Sequence, residues 1–254
     1  LLLVLVSLYI GIRCLFQPEM GPALPREERG SWGAKFLALK AVVLPLIVVF
    51  LVLGSIVGGI ATPTEAAGMG VLGAVISALV YRQISWKVTY EAGIRTMRLT
   101  GMIMWILFGA YCFTAAYQGM GAAHLIKDLV GYIPGGRWGV IITMQVVIFL
   151  LAMVLDPMGI MMICVPVFLP IVEAFGFDPL WFGILFTINM EIGYMTPPFG
   201  FNLFYMKGLV PPGISMGDIY RSAIPYTIVS LVGLAIVMIF PEIATWFPSV
   251  VFGG

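Results

Sequence analysis

The sequence predicts an all-α polytopic membrane protein, and three observations support that fold class. Hydrophobic residues make up 61% of the 254 positions and charged residues only 10%, whereas soluble domains carry about 25% charged residues. The mean hydropathy is +1.07. The apolar residues form long continuous runs rather than the alternating segments of membrane β-barrels, so we expect helices surrounded by a lipid bilayer.

Composition argues against several other classes. The net charge is +1 and no basic stripe occurs along the chain, so we expect no nucleic-acid partner. The three cysteines, Cys14, Cys112 and Cys164, all lie in apolar runs, and His124 is the only histidine. These residues offer no disulfide framework and no zinc site, and we expect neither an organic cofactor nor enzymatic activity.

Continuous apolar runs predict the membrane spans. The predicted spans are 1–16, 37–60, 65–81, 99–117, 180–209 and 224–247. The segment 82–98 mixes charges and aromatic residues at helical spacing, which is typical of an interfacial amphipathic helix. The chain opens on the apolar run LLLVLVSLYIGIR, which we interpret as the tail of a span in a longer polypeptide.

The segment 138–175 is too long for one span and carries Asp156-Pro157-Met158-Gly159 at its middle. We predict a re-entrant hairpin, two short helices that enter and leave the membrane by one face, with its tip at 156–159. With that topology eleven of the thirteen Lys and Arg residues fall on one side of the membrane, and only Lys127 and Arg137 on the other. This distribution fits the positive-inside rule.

A second unusual stretch is EIGYMTPPFGFN, residues 191–202. Consecutive prolines remove two backbone donors and clash with the preceding turn, so the span 180–209 must be broken here. Unpaired backbone groups in hydrocarbon cost several kcal/mol each, so such a break persists only against protein, water or a ligand. The bland alternative is a proline kink stabilised by packing.

Asp156 and the broken span predict a cation site. A carboxylate inside the membrane costs about 2.5–3.5 kcal/mol and normally has a partner or a function. Carboxylate, hydroxyl and carbonyl oxygens suit a hard cation such as Na⁺, and Thr196 supplies the hydroxyl, while Asn189 and Asn202 add amides on either side of the break. Alternatively, Asp156 only caps the helix that starts at Pro157.

Two further acids remain ambiguous. Glu65 follows Thr62 and Thr64, which suggests an ordinary helix cap with an acid in the first turn, although a coupling role is open. Glu191 lies one turn before the break, where it could stabilise a cation or hydrogen-bond the unwound backbone.

Three motifs together resemble the C-terminal half of the large membrane subunit of tripartite ATP-independent periplasmic (TRAP) transporters. They are GGIATPTEAAG, LDPMGIMMICVPVFLPIVEAFGFDPLWFGI and NMEIGYMTPPFGFNLFYMKGLVP. The resemblance implies a Na⁺-coupled elevator-type importer of small organic anions in the bacterial inner membrane. It further implies that the chain is the second of two inverted repeats, with a re-entrant hairpin and an unwound helix.

The resemblance also assigns residues and partners. It implies a scaffold region over 1–134, a transport region over 135–223 and a C-terminal helix over 224–254. The implied Na⁺ ligands are Asp156, Met158, Gly159, Thr196, Pro197 and Gly200, and the implied substrate-binding residues are Asn189, Pro198 and Asn202. The implied partners are a small membrane subunit, a periplasmic binding protein and the N-terminal half of the same subunit.

Three other functions fit the sequence less well. An H⁺-coupled transporter of similar architecture is the nearest alternative. An intramembrane aspartyl protease needs two facing aspartates, and only Asp156 qualifies. A channel or scaffold subunit would not require an acid at the tip of a hairpin.

Overall fold

The structure is a computed structural model that describes residues 1–22, 31–121, 131–198, 200–211 and 213–252. All regular secondary structure in these ranges is helical, and the remaining described residues form turns and connections. The α-helices are α1 Leu2–Phe16, α2 Trp32–Val57, α3 Pro63–Val80, α4 Trp86–Gly119, α5 Gly136–Ala152, α6 Pro157–Ala174, α7 Pro179–Tyr194, α8 Phe201–Leu209, α9 Met216–Ile239 and α10 Glu242–Phe252.

Four helices in the described part are long and apolar enough to cross a membrane. They are α3, α6, α9 and the segment Trp86–Phe113 of α4. Shorter apolar helices occur at Leu2–Phe16, Val42–Val57 and Gly136–Ala152. The predicted all-α polytopic membrane protein is therefore confirmed.

The chain divides into two compact units, of which one contains α2 and α3 and the other contains α1 and α5–α9. In the first of these, α2 and α3 pack as an antiparallel pair. A Cβ on Gly70 would lie 3.2 Å from Val52, and one on Gly73 would lie 2.7 Å from Val48. The glycines thus allow the two backbones to approach closely.

The core of the other unit lies among α5, α6, α7 and the C-terminal part of α9. Its most deeply buried side chains include Ile148, Ile160, Leu185 and Ile192, all of them at 0% exposure. Trp181 is also buried and donates from Nε1 to the Val237 carbonyl at 2.9 Å. This bond attaches the beginning of α7 to the end of α9, so the two helices run antiparallel.

Helices α5 and α7 run parallel and touch along their length. At their beginnings Trp138 meets Trp181 edge to face, with ring centroids 6.1 Å apart. At their ends the approach is closest, because a Cβ on Gly193 would lie 2.3 Å from the Ala152 Cβ. Only glycine fits at this position, so the ends of α5 and α7 are held together by direct backbone contact.

The beginnings of α5 and α7 are joined by an aromatic cluster, which we define as Arg137, Trp138, Phe177 and Trp181. Phe177 stacks on Trp181 with centroids 5.2 Å apart, and Trp138 packs edge-on against Phe177 at 5.4 Å. The Arg137 guanidinium lies 5.1 Å above the Phe177 ring, in the range of a cation–π interaction.

The predicted separation of segment 82–98 from a span at 99–117 is wrong. Helix α4 is continuous over 34 residues, Trp86–Gly119, or about 51 Å at roughly 1.5 Å per residue. No proline interrupts it, and an isolated Gly101 costs only about 1 kcal/mol in a helix. Since the hydrocarbon core is about 30 Å thick, a helix of this length carries its charged first turns beyond that core.

The predicted boundaries of the last span, 224–247, are also wrong. Helix α9 begins at Met216 and ends at Ile239, and α10 follows from Glu242. A capping box starts α9: the Ser215 side chain accepts from the Asp218 backbone N–H, and the Asp218 carboxylate accepts from that of Ser215. These reciprocal bonds satisfy two otherwise unpaired donors and fix the start of the helix.

Two sequence-based boundaries agree closely with the structure. The hairpin segment 138–175 forms α5 and α6, of 17 and 18 residues, joined by the short connection 153–156. The segment 180–209 forms α7 and α8, and the described residues between these helices are 195–198 and 200. We call these two non-helical segments the connection and the interruption.

The contact between Gly193 and Ala152 predicts a specific sensitivity of stability. We expect Gly193→Ala to lower the free energy of unfolding of the purified permease by about 1–3 kcal/mol, because the added methyl group overpacks the contact. Thermal unfolding in detergent measures this change.

Gly183→Ala is the matched control on the same helix. No atom lies within 4 Å of a Cβ at that position, so alanine should leave stability unchanged or raise it by up to about 1 kcal/mol through helix propensity. Equal stability changes in the two variants would contradict the close contact.

Candidate functional site: the ends of α5 and α7

Asp156 closes the connection and caps α6. One carboxylate oxygen, Oδ2, accepts from the Gly159 backbone N–H at 3.1 Å, and Pro157 occupies the first helical position. A Cβ on Gly159 would lie 3.0 Å from the other oxygen, Oδ1. Asp156 therefore caps the helix, as the alternative interpretation holds, yet Oδ1 accepts no hydrogen bond from any described residue.

The connection presents free backbone acceptors beside this carboxylate. The Leu151 carbonyl accepts from both Val154 and Leu155. By contrast, the carbonyls of Ala152, Met153 and Val154 accept no hydrogen bond from the residues that the structure describes. They are oxygen ligands without a partner at the C-terminal end of α5.

Met158 and Gly159, two of the expected ion ligands, lie in the first turn of α6. Carbonyl groups there point along the helix, away from the connection, and only N–H groups face it. Neither residue can offer a backbone oxygen to a cation at the connection. Gly159 contributes space for the Asp156 carboxylate instead.

Thr196 closes the end of α7. Its backbone N–H donates to the Gly193 carbonyl at 3.0 Å, and its hydroxyl donates to the Ile192 carbonyl at 2.7 Å. Because the hydroxyl proton is engaged, the lone pairs of Oγ1 remain available to a cation. The carbonyls of Met195, Thr196 and Pro197 accept no hydrogen bond within the described ranges.

Gly200 turns the chain into α8. It has φ +46°, and a Cβ would lie 2.8 Å from Leu203 Cδ1, so both conformation and space favour glycine. No side chain caps the helix at this residue. The first N–H groups of α8 therefore face the interruption and make its local potential positive.

Two observations place the connection and the interruption side by side. The connection begins directly after Ala152, and the interruption begins two residues after Gly193. Ala152 and Gly193 are the residues at which α5 and α7 touch. In addition, Tyr194 lies within electrostatic range of both Asp156 and Glu191. The sequence-predicted residues Asp156 and Thr196 therefore belong to one neighbourhood.

Asn189 is buried between α5 and α7, and its Oδ1 has no hydrogen-bond partner among the described residues. It is 1% exposed and donates from Nδ2 to the Gln145 carbonyl at 2.6 Å and to Gln145 Oε1 at 2.9 Å. Gln145 is 4% exposed. The pair fixes the register of α5 on α7, a role that the sequence did not reveal because Gln145 stands alone in an apolar run.

Asn202 and Glu191 meet across the interruption. Asn202 Nδ2 donates to Glu191 Oε1 at 3.1 Å. Pro198 is exposed at this surface, and its carbonyl accepts from the Tyr220 hydroxyl at 3.3 Å. Glu191 thus bonds a side chain of the following helix rather than the unwound backbone.

Glu65 has a structural role in the other unit. The Thr62 side chain accepts from the Glu65 backbone N–H, and the Glu65 carboxylate accepts from the Thr62 backbone N–H at 2.8 Å. Thr64 lies in the same first turn of α3. This complete capping box matches the capping interpretation of these residues.

A cavity of about 550 Å³ opens between the interruption, α8 and the first turns of α9. Its lining includes Met195, Asn202, Ser222 and Tyr226. The interruption therefore lies beside the first half of α9. The cavity wall is largely apolar, and the Ser222 hydroxyl donates to the Ile219 carbonyl.

No three His, Cys, Asp or Glu side chains gather as metal ligands in the described part of the chain. A cation between α5 and α7 would instead meet the Asp156 carboxylate, the Thr196 hydroxyl and the free carbonyls of both segments. These hard oxygen donors suit an alkali or alkaline-earth cation rather than a transition metal.

Comparison with known proteins identifies the family. Residues 3–243 match the model of the DctM component of tripartite ATP-independent periplasmic transporters. The chain is 31% identical over 249 residues to the C4-dicarboxylate TRAP transporter large permease protein DctM of Pseudomonas aeruginosa, covering 98% of this chain and 56% of that protein.

Two further relatives transport different compounds, by their names. The ectoine TRAP transporter large permease protein TeaC of Halomonas elongata is 29% identical over 253 residues, 99% of this chain and 58% of that protein. The sialic acid TRAP transporter permease protein SiaT of Haemophilus influenzae is 25% identical over 230 residues, 90% of this chain and 36% of that protein.

The chain spans just over half the length of the first two of these relatives. No solved structure matches it. The relatives are transporter permeases and not enzymes, which confirms that expectation. With a family match that covers nearly all of its residues, the chain belongs to the DctM family of TRAP transporter large permease subunits.

Proposed function

We propose that this chain forms part of the permease of a Na⁺-coupled secondary transporter that imports a small organic anion. The observation that carries the proposal is the set of oxygen atoms at the touching ends of α5 and α7 that have no hydrogen-bond partner among the described residues. Asp156 Oδ1 and six backbone carbonyls accept no hydrogen bond from described residues. A bound cation would satisfy groups that are otherwise costly to leave unpaired in a membrane.

The chemistry of the donors favours Na⁺. The carboxylate supplies one negative charge, and the hydroxyl and carbonyls supply neutral oxygen atoms, as in the interrupted-helix ion sites of other secondary transporters. Neither Asp156 nor Glu191 forms an ion pair with a described Lys or Arg. The negative charge of Asp156, at the touching ends of α5 and α7, is therefore left for a mobile cation.

The anion would bind beside the cation, at the beginning of α8. That helix lacks a side-chain cap, and its N-terminal dipole favours a carboxylate. Relatives are named for C4-dicarboxylates, ectoine and sialic acid, and each of these compounds carries a carboxylate. Cation and anion would order adjacent segments, so each would raise the affinity for the other.

The remaining family expectations complete the proposal. We propose that α5 and α6 form a re-entrant hairpin within a transport region, 135–223, that moves as an elevator against a scaffold region, 1–134, with a C-terminal helix over 224–254. The chain would be one of two inverted repeats in a bacterial inner-membrane subunit. It would act with a small membrane subunit and a periplasmic binding protein.

The ion dependence of uptake tests the proposal directly. Liposomes that contain the complete transporter, supplied with binding protein and substrate, should accumulate substrate with external Na⁺ and lose uptake when choline replaces it. Uptake that continues in choline and follows an imposed proton gradient would instead support the H⁺-coupled alternative.

The role of the Asp156 charge can be separated from its role as a cap. Asparagine keeps an oxygen that accepts from the Gly159 N–H but removes the charge. We expect Asp156→Asn to reduce Na⁺-dependent uptake by about tenfold or more, with normal insertion into the membrane. The measurement is initial uptake rate against Na⁺ concentration.

Asp178 provides the matched control, because it caps α7 with bonds of 2.7 Å to Leu180 N and 3.2 Å to Trp181 N and is also followed by proline. Asp178→Asn should leave the Na⁺ dependence unchanged. If Asp156→Asn behaves in the same way as this control, Asp156 is only a cap.

The interruption itself can be tested with prolines. We expect the double variant Pro197→Ala/Pro198→Ala to restore backbone donors, extend α7 and reduce Na⁺-dependent uptake by about tenfold or more. Pro170→Ala, which changes a proline within α6, should leave uptake nearly unchanged. Normal kinetics in the double variant would show that the interruption is not needed for transport.

A further inference from the structure

Helix α8 begins without a cap of its own. The residue before the helix is Gly200, which has no side chain to accept hydrogen bonds from the first N–H groups. The first turn of α8 contains no acidic residue. Nine-residue helices are marginal without such stabilisation. The side-chain hydrogen bond from Asn202, in that first turn, goes to Glu191 Oε1 in the last turn of α7.

The position of Glu191 is unfavourable for α7 and favourable for α8. A carboxylate at the C-terminal end of a helix is repelled by the helix dipole, whereas one at the N-terminal end is attracted by it. The bond to Asn202 holds the Glu191 carboxylate at the beginning of α8. The acid of one helix therefore provides the hydrogen-bond acceptor for a side chain in the first turn of the next.

Helix α8 also packs against α9. Leu203 is 5% exposed and packs against Ile219 and Ala223 of α9, and the Lys207 ammonium donates to the Ile214 carbonyl just before that helix. Without the bond between Asn202 and Glu191, these contacts would leave α8 attached mainly to α9. The bond thus adds a direct link between the beginning of α8 and the end of α7.

We infer that Glu191 and Asn202 form a strap across the interruption that holds the N-terminus of α8 against the C-terminus of α7. Both are positioning residues: Glu191 acts through Asn202, and Asn202 acts through the orientation of α8 rather than as a ligand of the substrate. The consequence for transport rests on the proposed function, while the strap itself does not.

An exchange of donor and acceptor tests the strap in the complete transporter. In N202D two carboxylates face each other, and we expect the maximal uptake rate to fall about tenfold and the unfolding temperature to fall by roughly 2–4 °C. In E191Q/N202D the introduced amide donates to the introduced carboxylate. This double variant should recover uptake to within about twofold of the unmodified protein and recover its unfolding temperature.

Alanine variants complete the test. E191A, N202A and the double variant should show the same loss of rate and of unfolding temperature, because each removes one shared bond. E191Q alone should be mild, since its amide oxygen still accepts from Asn202. Glu173 is an exposed acid at the end of α6, and E173Q should change neither quantity.

Two results would overturn the strap. One is an E191Q/N202D variant no better than N202D in rate and unfolding temperature. The other is an N202A variant with a raised KM for substrate while E191A keeps a normal KM, which would make Asn202 a substrate ligand. Na⁺-independent uptake by the unmodified transporter would contradict the proposed function alone, because the rescue of unfolding temperature needs no ion.

Discussion

The site depends on one contact, the approach of Gly193 to Ala152. A methyl group at residue 193 would lie 2.3 Å from the Ala152 side chain, so the two helix ends meet backbone to backbone. Each helix then stops within a few residues of that contact. Because helices end with unpaired carbonyl groups, two parallel helices that stop side by side concentrate oxygen donors in one place. The gathering of oxygen atoms at the ends of α5 and α7 thus arises from helix packing as much as from Asp156.

The buried amide pair makes this arrangement specific. Hydrophobic packing alone allows parallel helices several registers, because apolar side chains exchange neighbours at little cost. Asn189 and Gln145 remove that freedom, since a slide of α5 along α7 would leave buried amides without hydrogen bonds. The polar pair therefore sets which residues of the two helices stop together.

Local signals predicted the site's segments, but they could not predict their partners. Asp156-Pro157 and Pro197-Pro198 are strong helix-boundary signals. Helix α6 begins at Pro157, and α7 ends three residues before Pro197. The start of α9 was missed because Pro211 and Gly213 suggested a long loop and obscured the Ser215–Asp218 capping box. The burial of Asn189 was missed because its partner lies 44 residues earlier, and no local pattern relates residues at that separation.

The aromatic cluster gives the α5–α7 pair two mechanically different ends. Arg137, Trp138, Phe177 and Trp181 interlock at one end, and the Trp181 bond to Val237 attaches that end to α9. At the opposite end the two helices are joined by the contact of Gly193 with Ala152, and both stop beside it. Separating the first end would unstack three aromatic rings and break a buried hydrogen bond, whereas the oxygen-rich end is closed by the approach of one glycine to one alanine.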